Sequence, residues 1–183
     1  MLTLLEAIQK RRSTRSFTPD DVPDEMINQM LEAARLAPSG GNRQPWRFLA
    51  VKDKKLKKEL CHIGRDQSFI EEAAVVIICF GDLQRYKIKG EQEQSPSAIS
   101  YEQALIHLKA NSYIAIEHLV LMATALGLGT CWVGAYSNNT EVNRLFGLPD
   151  NLIGVAGVAV GYPAKDLPAQ RPRLSLEEII VRP

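Results

Sequence analysis

Cysteine is scarce in this 183-residue chain. The three present, Cys61, Cys79 and Cys131, are an odd number, lie far apart and form no Cys-x-x-Cys pair. That argues against a disulfide framework and suits reduced thiols in a cytosol. An excess of one charge is missing too: 22 lysines and arginines face 21 aspartates and glutamates, a formal net charge of +1. No overall field therefore draws the chain to nucleic acid or to an anionic membrane, and any anion site must be local. Long apolar runs are also absent. Ala73 to Phe80 and Leu152 to Val160 fall well short of the roughly 20 residues that span a bilayer. Glu6 interrupts the first apolar stretch and nothing like a cleavage site follows, so neither a signal nor a transit peptide is expected and the cytoplasm is the expected location.

Several catalytic signatures are lacking as well. Gly127-Leu128-Gly129-Thr130-Cys131-Trp132-Val133-Gly134 has its third glycine misplaced for a dinucleotide fingerprint, and it enters a strand from a helix where that fingerprint needs the opposite order. No G-x-x-x-x-G-K-[ST] loop and no nucleophile elbow occur. His107 and His118 fall near one face of a helix but three turns apart, about 16 Å by helical rise, so they cannot share a metal. Cys61 and His62 are adjacent without partners at ligand spacing. No metal and no catalytic acid or base is expected.

What is present reads as one domain over residues 1–183, a length that should bury roughly 70% of the unfolded surface, with 164–183 as an extended C-terminal arm. Thr3 and Glu6 form a capping-box pattern before Leu4, Leu5, Ala7 and Ile8, predicting a helix from about Leu4 to Arg11. Pro23, then Asp24 and Glu25, opens a second helix that should stop near Ala37, before Pro38. Trp46 to Val51 reads as a strand and Lys54 to Ile63 as a basic surface helix. Val75 to Phe80, β-branched and apolar throughout, is the pattern of a strand covered on both faces. Leu83 to Ser100 is polar and is expected to be a surface excursion or a mobile lid. From Tyr101 to about Leu126 the pattern is helical, and beyond Tyr113 it is apolar nearly all round. Such a helix can be central to the core or shared with a second subunit, and both together are expected. Thr130 to Val133, Glu141 to Phe146 and Ile153 to Val160 complete the pass as strand, helix and strand.

Three polar constellations stand out. Arg11-Arg12-Ser13-Thr14-Arg15 concentrates positive charge at the end of the first helix. If helical, Arg11 and Arg15 share a face; if extended, Arg11, Ser13 and Arg15 point to one side. Either complementing the negative end of a helix or binding a phosphate explains such a cluster. Pro172 biases Arg171 toward an extended conformation, so Arg171 and Arg173 should project together, as a second half of an anion clamp or as a solvated tail. The loop Pro38-Ser39-Gly40-Gly41-Asn42-Arg43-Gln44-Pro45 combines glycines with neutral donors and acceptors. It suits a flat polar heterocycle or is an ordinary connector.

Taken in order, Arg11-Arg12-Ser13-x-Arg15 after a first helix, Pro38-Ser39-x-x-Asn42-x-Gln44-Pro45-Trp46 after a second, the glycine-flanked Trp132-Val133-Gly134 and Arg171-x-Arg173 near the end resemble the nitroreductase family across nearly the whole chain. The resemblance implies an α+β fold, with a mixed, mainly antiparallel sheet flanked by helices and a long central helix at the interface of an obligate homodimer. It also implies FMN sites at that subunit interface. Arg11, Arg171 and Arg173, assisted by Ser13, resemble the groups that hold the FMN phosphate, and Arg12 belongs to the same motif. Arg15 resembles the basic residue beside the pyrimidine edge. Pro38, Ser39, Gly40, Asn42 and Gln44 match the loop contributed by the second subunit, and Trp132, Val133 and Gly134 match the strand beside the redox-active ring. Val133 stands where longer members often carry an acidic residue. Arg65 and Gln67 are weaker candidates for the segment that reaches the pyrimidine.

The activity so implied is reduction of electron-poor small molecules such as nitroaromatics or quinones by NADH or NADPH through tightly bound FMN. It is ping-pong in mechanism, without a catalytic side chain, a metal, nucleic acid or a membrane. Another reaction on the same scaffold (dehydrogenation, dehalogenation, flavin breakdown) or a nonenzymatic flavin-binding protein are the alternatives.

Overall fold

The computed structural model describes residues 1–90, 95–165 and 169–182. Parts of the expected excursion and of the expected C-terminal arm, residues 91–94, 166–168 and 183, lie outside the described residues. The ordered elements are helices α1 (Leu4–Lys10), α2 (Asp24–Arg35), α3 (Lys54–Ile63), α4 (Phe69–Glu72), α5 (Tyr101–Ala125), α6 (Thr140–Phe146) and α7 (Leu176–Ile179), and strands β1 (Trp46–Val51), β2 (Val75–Asp82), β3 (Gly129–Val133) and β4 (Leu152–Gly161). The two single-turn helices α4 and α7 carry too little periodicity to be found by pattern.

The strands form one sheet in the order β1-β2-β4-β3, antiparallel at every ladder. Among the described residues, parallel pairing is confined to the isolated bridges Ser13↔Thr130 and Ile88↔Ile99. β2 is central and buried along its whole length. Its alternate side chains serve two separate cores: Val75, Ile77 and Cys79 face α2 and α5, whereas Val76, Ile78 and Phe80 face Leu60, Phe69, Ile70, Tyr136 and Val142. A strand sandwiched between two helical layers has no solvent face, which is why its sequence is apolar without alternation.

Helix α5 begins at the Ser100/Gln103 capping box. It buries Ala104, Leu108, Ser112, Ala115, Ile116, Leu119, Val120 and Ala123 on the inward face. It is not covered all round in the single chain: Ile106 is 66% exposed, and Tyr113 and Ile114 are each 42% exposed. Helix α1 lies along its C-terminal half, with the Leu2 amide on the Ala125 carbonyl at 3.1 Å, and leaves Leu4, Leu5 and Ile8 exposed. Among the described residues no helix is long and apolar enough to cross a membrane.

Two local expectations change. The basic helix α3 turns one lysine inward: Lys57 is buried and donates to the Ala73 carbonyl, and burial lowers its pKa. The excursion is anchored at its base. Leu83–Arg85 forms a 3₁₀ turn, Tyr86 and Ala98 are buried, and the Ile88↔Ile99 bridge draws the two limbs together.

The second core depends on Tyr136, which is fully buried and donates its hydroxyl proton to the Leu60 carbonyl at 2.9 Å. That bond ties the turn after β3 to α3. The carbonyl also receives the Gly64 amide at 2.8 Å, so Tyr136→Phe leaves no orphaned acceptor. The expected loss is about 1 kcal/mol, against about 3–5 kcal/mol for Tyr136→Ala, which also empties the ring's space. Denaturant midpoints of the two variants check the difference.

Candidate anion and cofactor site

Helix α1 ends where the chain must turn extended. The Arg11 amide still bonds to the Ala7 carbonyl, but its backbone has left the helical region (φ −56, ψ 131). Ser13 then pairs with Thr130 of β3, and the Thr14 amide donates to the Thr130 carbonyl at 2.7 Å. Extended pairing makes the side chains alternate: Thr14 is buried, while Ser13 and Arg15 face out. The extended alternative for this segment is therefore the one adopted.

The far end of the chain returns to the same place. The Gln170 side-chain amide donates to the carbonyls of Gln9, Lys10 and Arg11 at 2.9, 3.2 and 3.4 Å. These are carbonyls at and just beyond the end of α1, where a helix leaves acceptors unpaired. This contact docks residues 169–173 against the end of α1. Together they enclose a cavity of about 310 Å³ lined by Arg11, Arg12, Ser13, Arg15, Ala169, Gln170, Arg171 and Arg173. The lining holds five guanidinium groups, one hydroxyl and no carboxylate. Among the described residues the only carboxylate within 4 Å of any of these guanidinium groups is that of Glu117 of α5, its Oε1 3.8 Å from Arg11 Nε. The donor set is that of an oxyanion site, and guanidinium forks fit the tetrahedral oxygens of a phosphate.

Behind the cavity sits Cys131, a buried thiol. Burial raises its pKa, and Arg15 and Ser13 oppose that rise only in part. It is a packing group and not a nucleophile. Arg15 lies over the Phe69 ring at 5.9 Å, which brings α4 beside the cluster. Just before α4, Arg65 and Asp66 take left-handed backbone (φ 65 and 53), and Gln67 donates to the Gly64 carbonyl at 2.7 Å. The turn carrying Arg65 and Gln67 thus leads directly to the residue under Arg15.

The other expected site residues lie outside this cavity. Trp132 and Val133 continue β3 beyond Thr130, and Gly134 opens the 3₁₀ turn that follows. Trp132 is in ring contact with Tyr113 of α5 (6.0 Å between centroids), Val133 is buried and Gly134 is exposed. The loop with Pro38, Ser39, Gly40, Asn42 and Gln44 is held by hydrogen bonds elsewhere. The Gln44 amide donates to Ser39 Oγ at 2.9 Å, Gln44 Nε2 to Asn42 Oδ1 at 2.8 Å, and the Gly40 amide to Asn111 Oδ1 at 3.0 Å. Arg43 stacks over Tyr86 at 5.4 Å. A larger cavity, about 380 Å³ between Tyr101, Asn139, Asn143 and Asp150, contains none of the expected residues.

Sequence reasoning missed Gln170, Phe69, Asn111 and Glu117. Each acts across more than 50 positions of sequence, and none carries a local signal beyond lying near a motif. His62 pairs with Asp66, and His118, whose charge acts on Glu117, meets the Ala33 carbonyl. Among the described residues no group of three or more His, Cys, Asp or Glu could hold a metal.

Comparison with known proteins matches residues 8–162 to the model of the nitroreductase family. An NADH dehydrogenase of Thermus thermophilus is 32% identical over 96% of this chain and 93% of its own. An FMN reductase [NAD(P)H] of Bacillus subtilis is 30% identical over 98% of this chain and 73% of its own. The solved structure of B. megaterium NfrA2 superposes with a TM-score of 0.86 at 30% identity, covering 100% of this chain and 74% of that one.

Proposed function

The chain belongs to the nitroreductase family, and on that premise we propose that it is an FMN-dependent oxidoreductase that uses NADH or NADPH to reduce electron-poor small molecules such as nitroaromatics and quinones. The observation that carries this reading is the cavity assembled from both ends of the chain, with five guanidinium groups and the Ser13 hydroxyl and no lining carboxylate. A dianionic phosphomonoester needs such a site. Arg11, Arg171 and Arg173 would hold the phosphate with Ser13, and Arg12 would add to the local field. From Thr130, which pairs with Ser13, to Gly134 is four residues of strand, about 13 Å, the order of length of a phosphate, a five-carbon linker and the near edge of a ring system. Arg15 would stand at the pyrimidine edge, and Trp132, Val133 and Gly134 beside the ring.

When bound, FMN supplies the hydride and electron transfer. The chain's own work is to orient and to bias. Arg15 places positive charge where negative charge grows on reduction. Gly134 offers backbone without a side chain in the way. One site used in turn by nicotinamide and acceptor gives ping-pong kinetics.

The single chain leaves Leu4, Leu5, Ile8, Tyr113 and Ile114 exposed on α1 and α5, and it keeps the Ser39–Gln44 loop away from the arginine cavity. Both features fit a homodimer in which α5 packs at the interface and each subunit lends Pro38, Ser39, Gly40, Asn42 and Gln44 to the other's flavin. Residues 1–183 form a single FMN-binding domain in this reading, and a cytoplasmic location accords with it. The freshly purified protein is expected to be yellow, with flavin absorption bands that bleach under NADH or NADPH without oxygen and return on adding a quinone. A colourless protein that does not retain added FMN overturns the assignment.

A further inference from the structure

Among the described residues Glu117 is the one carboxylate within 4 Å of a cluster that otherwise repels itself. It projects from the middle of α5, far from the first and last residues of the cavity in sequence, and stands 3.8 Å from Arg11. That separation is an ion pair without a hydrogen bond, so neither partner is locked. Arg11 is the more enclosed of the two, its side chain 24% exposed against 43% for Glu117. Burial pushes the Glu117 carboxyl above its ordinary pKa, and the Arg11 charge is the main opposing influence. The same guanidinium lines the anion cavity, while Glu117 does not. Arg11 therefore has two negative partners to choose between, one permanent and one delivered by the ligand.

We propose that Glu117 is a built-in counter-ion of the anion clamp, holding Arg11 while the cavity is empty and competing with a bound phosphate for it, so that it limits how tightly a phosphomonoester is retained. Four of the five guanidinium groups have no carboxylate within 4 Å among the described residues, so the empty clamp would otherwise stand unneutralised. A phosphate that arrives must share Arg11 or displace Glu117 from it. The role is one of positioning: Glu117 acts through Arg11 and touches neither the reacting ring nor the nicotinamide. The inference rests on the FMN reading above for the identity of the ligand, but its electrostatics concern the phosphate alone.

The test compares wild type, Glu117→Gln, Glu117→Asp, Arg11→Ala and the double variant Arg11→Ala/Glu117→Gln as full-length chains freed of flavin. Each is titrated with FMN, with riboflavin and with inorganic phosphate. Glu117→Gln is expected to bind FMN and inorganic phosphate about three- to fivefold tighter, the range of a partly exposed charge pair, with riboflavin unchanged. Glu117→Asp, which keeps the charge but withdraws it, should fall between. The gain should vanish in the Arg11→Ala background, because the competition is for that group. A carboxylate that merely props Arg11 in place would give the opposite sign, weaker binding in Glu117→Gln. That result, an equal gain for riboflavin, or a gain that survives loss of Arg11 overturns the proposal. If phosphate binding improves as stated while FMN does not bind at all, the cofactor assignment fails and the counter-ion stands. If FMN binds and bleaches with nicotinamide while Glu117→Gln changes nothing, the reverse holds.

Discussion

Replacing Arg11 and Arg173 together by alanine is expected to weaken FMN binding by at least about 100-fold, with little change in the affinity for riboflavin. A charge-assisted hydrogen bond contributes about 1.5–3 kcal/mol, and 1.4 kcal/mol is tenfold in affinity. Two such groups lost from one phosphate therefore act well beyond the effect of a surface charge. Arg11 reaches the cavity from the end of α1 and Arg173 from the returning tail, so the pair removes one jaw from each side of the clamp. Neither substitution should unfold the chain. The turn at Arg11 is made by its backbone amide on the Ala7 carbonyl, and among the described residues Arg173 bonds only to the Arg171 carbonyl within its own segment. Fluorescence titration with FMN and riboflavin reads the result directly. A loss shared equally by both ligands would place the arginines away from the phosphate.

Arg15→Ala serves as the contrast. Its guanidinium lines the same cavity but lies over Phe69, toward the α4 end of the cluster. In the FMN reading it faces the ring and not the phosphate, so affinity should hold within a few-fold. The bound flavin should become harder to reduce, by about 20–30 mV if roughly 1 kcal/mol of favourable field is lost. Equal losses of FMN affinity in Arg11→Ala, Arg173→Ala and Arg15→Ala would dissolve the distinction between phosphate and ring ends.

The sequence carried the clamp because charge is costly to concentrate: three arginines within Arg11–Arg15 and two more at Arg171 and Arg173 demand a common counter-ion. It could not carry the device that joins them. Gln170 is a neutral residue at an unremarkable position, and its amide acquires meaning only once α1 leaves the Gln9, Lys10 and Arg11 carbonyls unpaired. The central strand was legible for the same kind of reason. Val75 to Phe80 has no polar face to offer water, so two helical layers had to cover it, and they do. Helix α5 was legible as buried but not as asymmetrically buried. The all-round apolar pattern from Tyr113 onward suits a helix both central to the core and shared with a second subunit, and the single chain leaves Tyr113 and Ile114 exposed; pattern does not say which apolar face belongs to the same molecule. The anchoring of the Ser39–Gln44 loop by Asn111 and the inward turn of Lys57 are tertiary facts with no periodic signature.

A second large effect is expected at Gly154, where the argument concerns space. A Cβ built there would lie 2.3 Å from the Tyr136 carbonyl oxygen, a backbone atom that no rotamer change can move. The 3₁₀ turn Gly134–Tyr136 crosses β4 at this point, and the Asn138 amide donates to the Gly154 carbonyl at 2.9 Å. Gly154→Ala must lift the turn from the strand or bend β4 away from its partners. Either adjustment disturbs the packing of Tyr136, so a loss of about 3 kcal/mol is expected, the upper end of overpacking costs. The lifted turn begins with Gly134, so FMN affinity should fall as well. Gly134→Ala separates the two consequences. A Cβ at Gly134 meets nothing within 4 Å, so the folded chain should tolerate it to within about 0.5 kcal/mol, yet the added methyl would occupy the space assigned to the ring. Thermal or denaturant unfolding of the flavin-free variants, set beside FMN titrations, should show Gly154→Ala failing in both measurements and Gly134→Ala failing in the second alone. If Gly134→Ala binds FMN as wild type does, the ring does not lie against this end of β3, however firmly the arginines hold the phosphate.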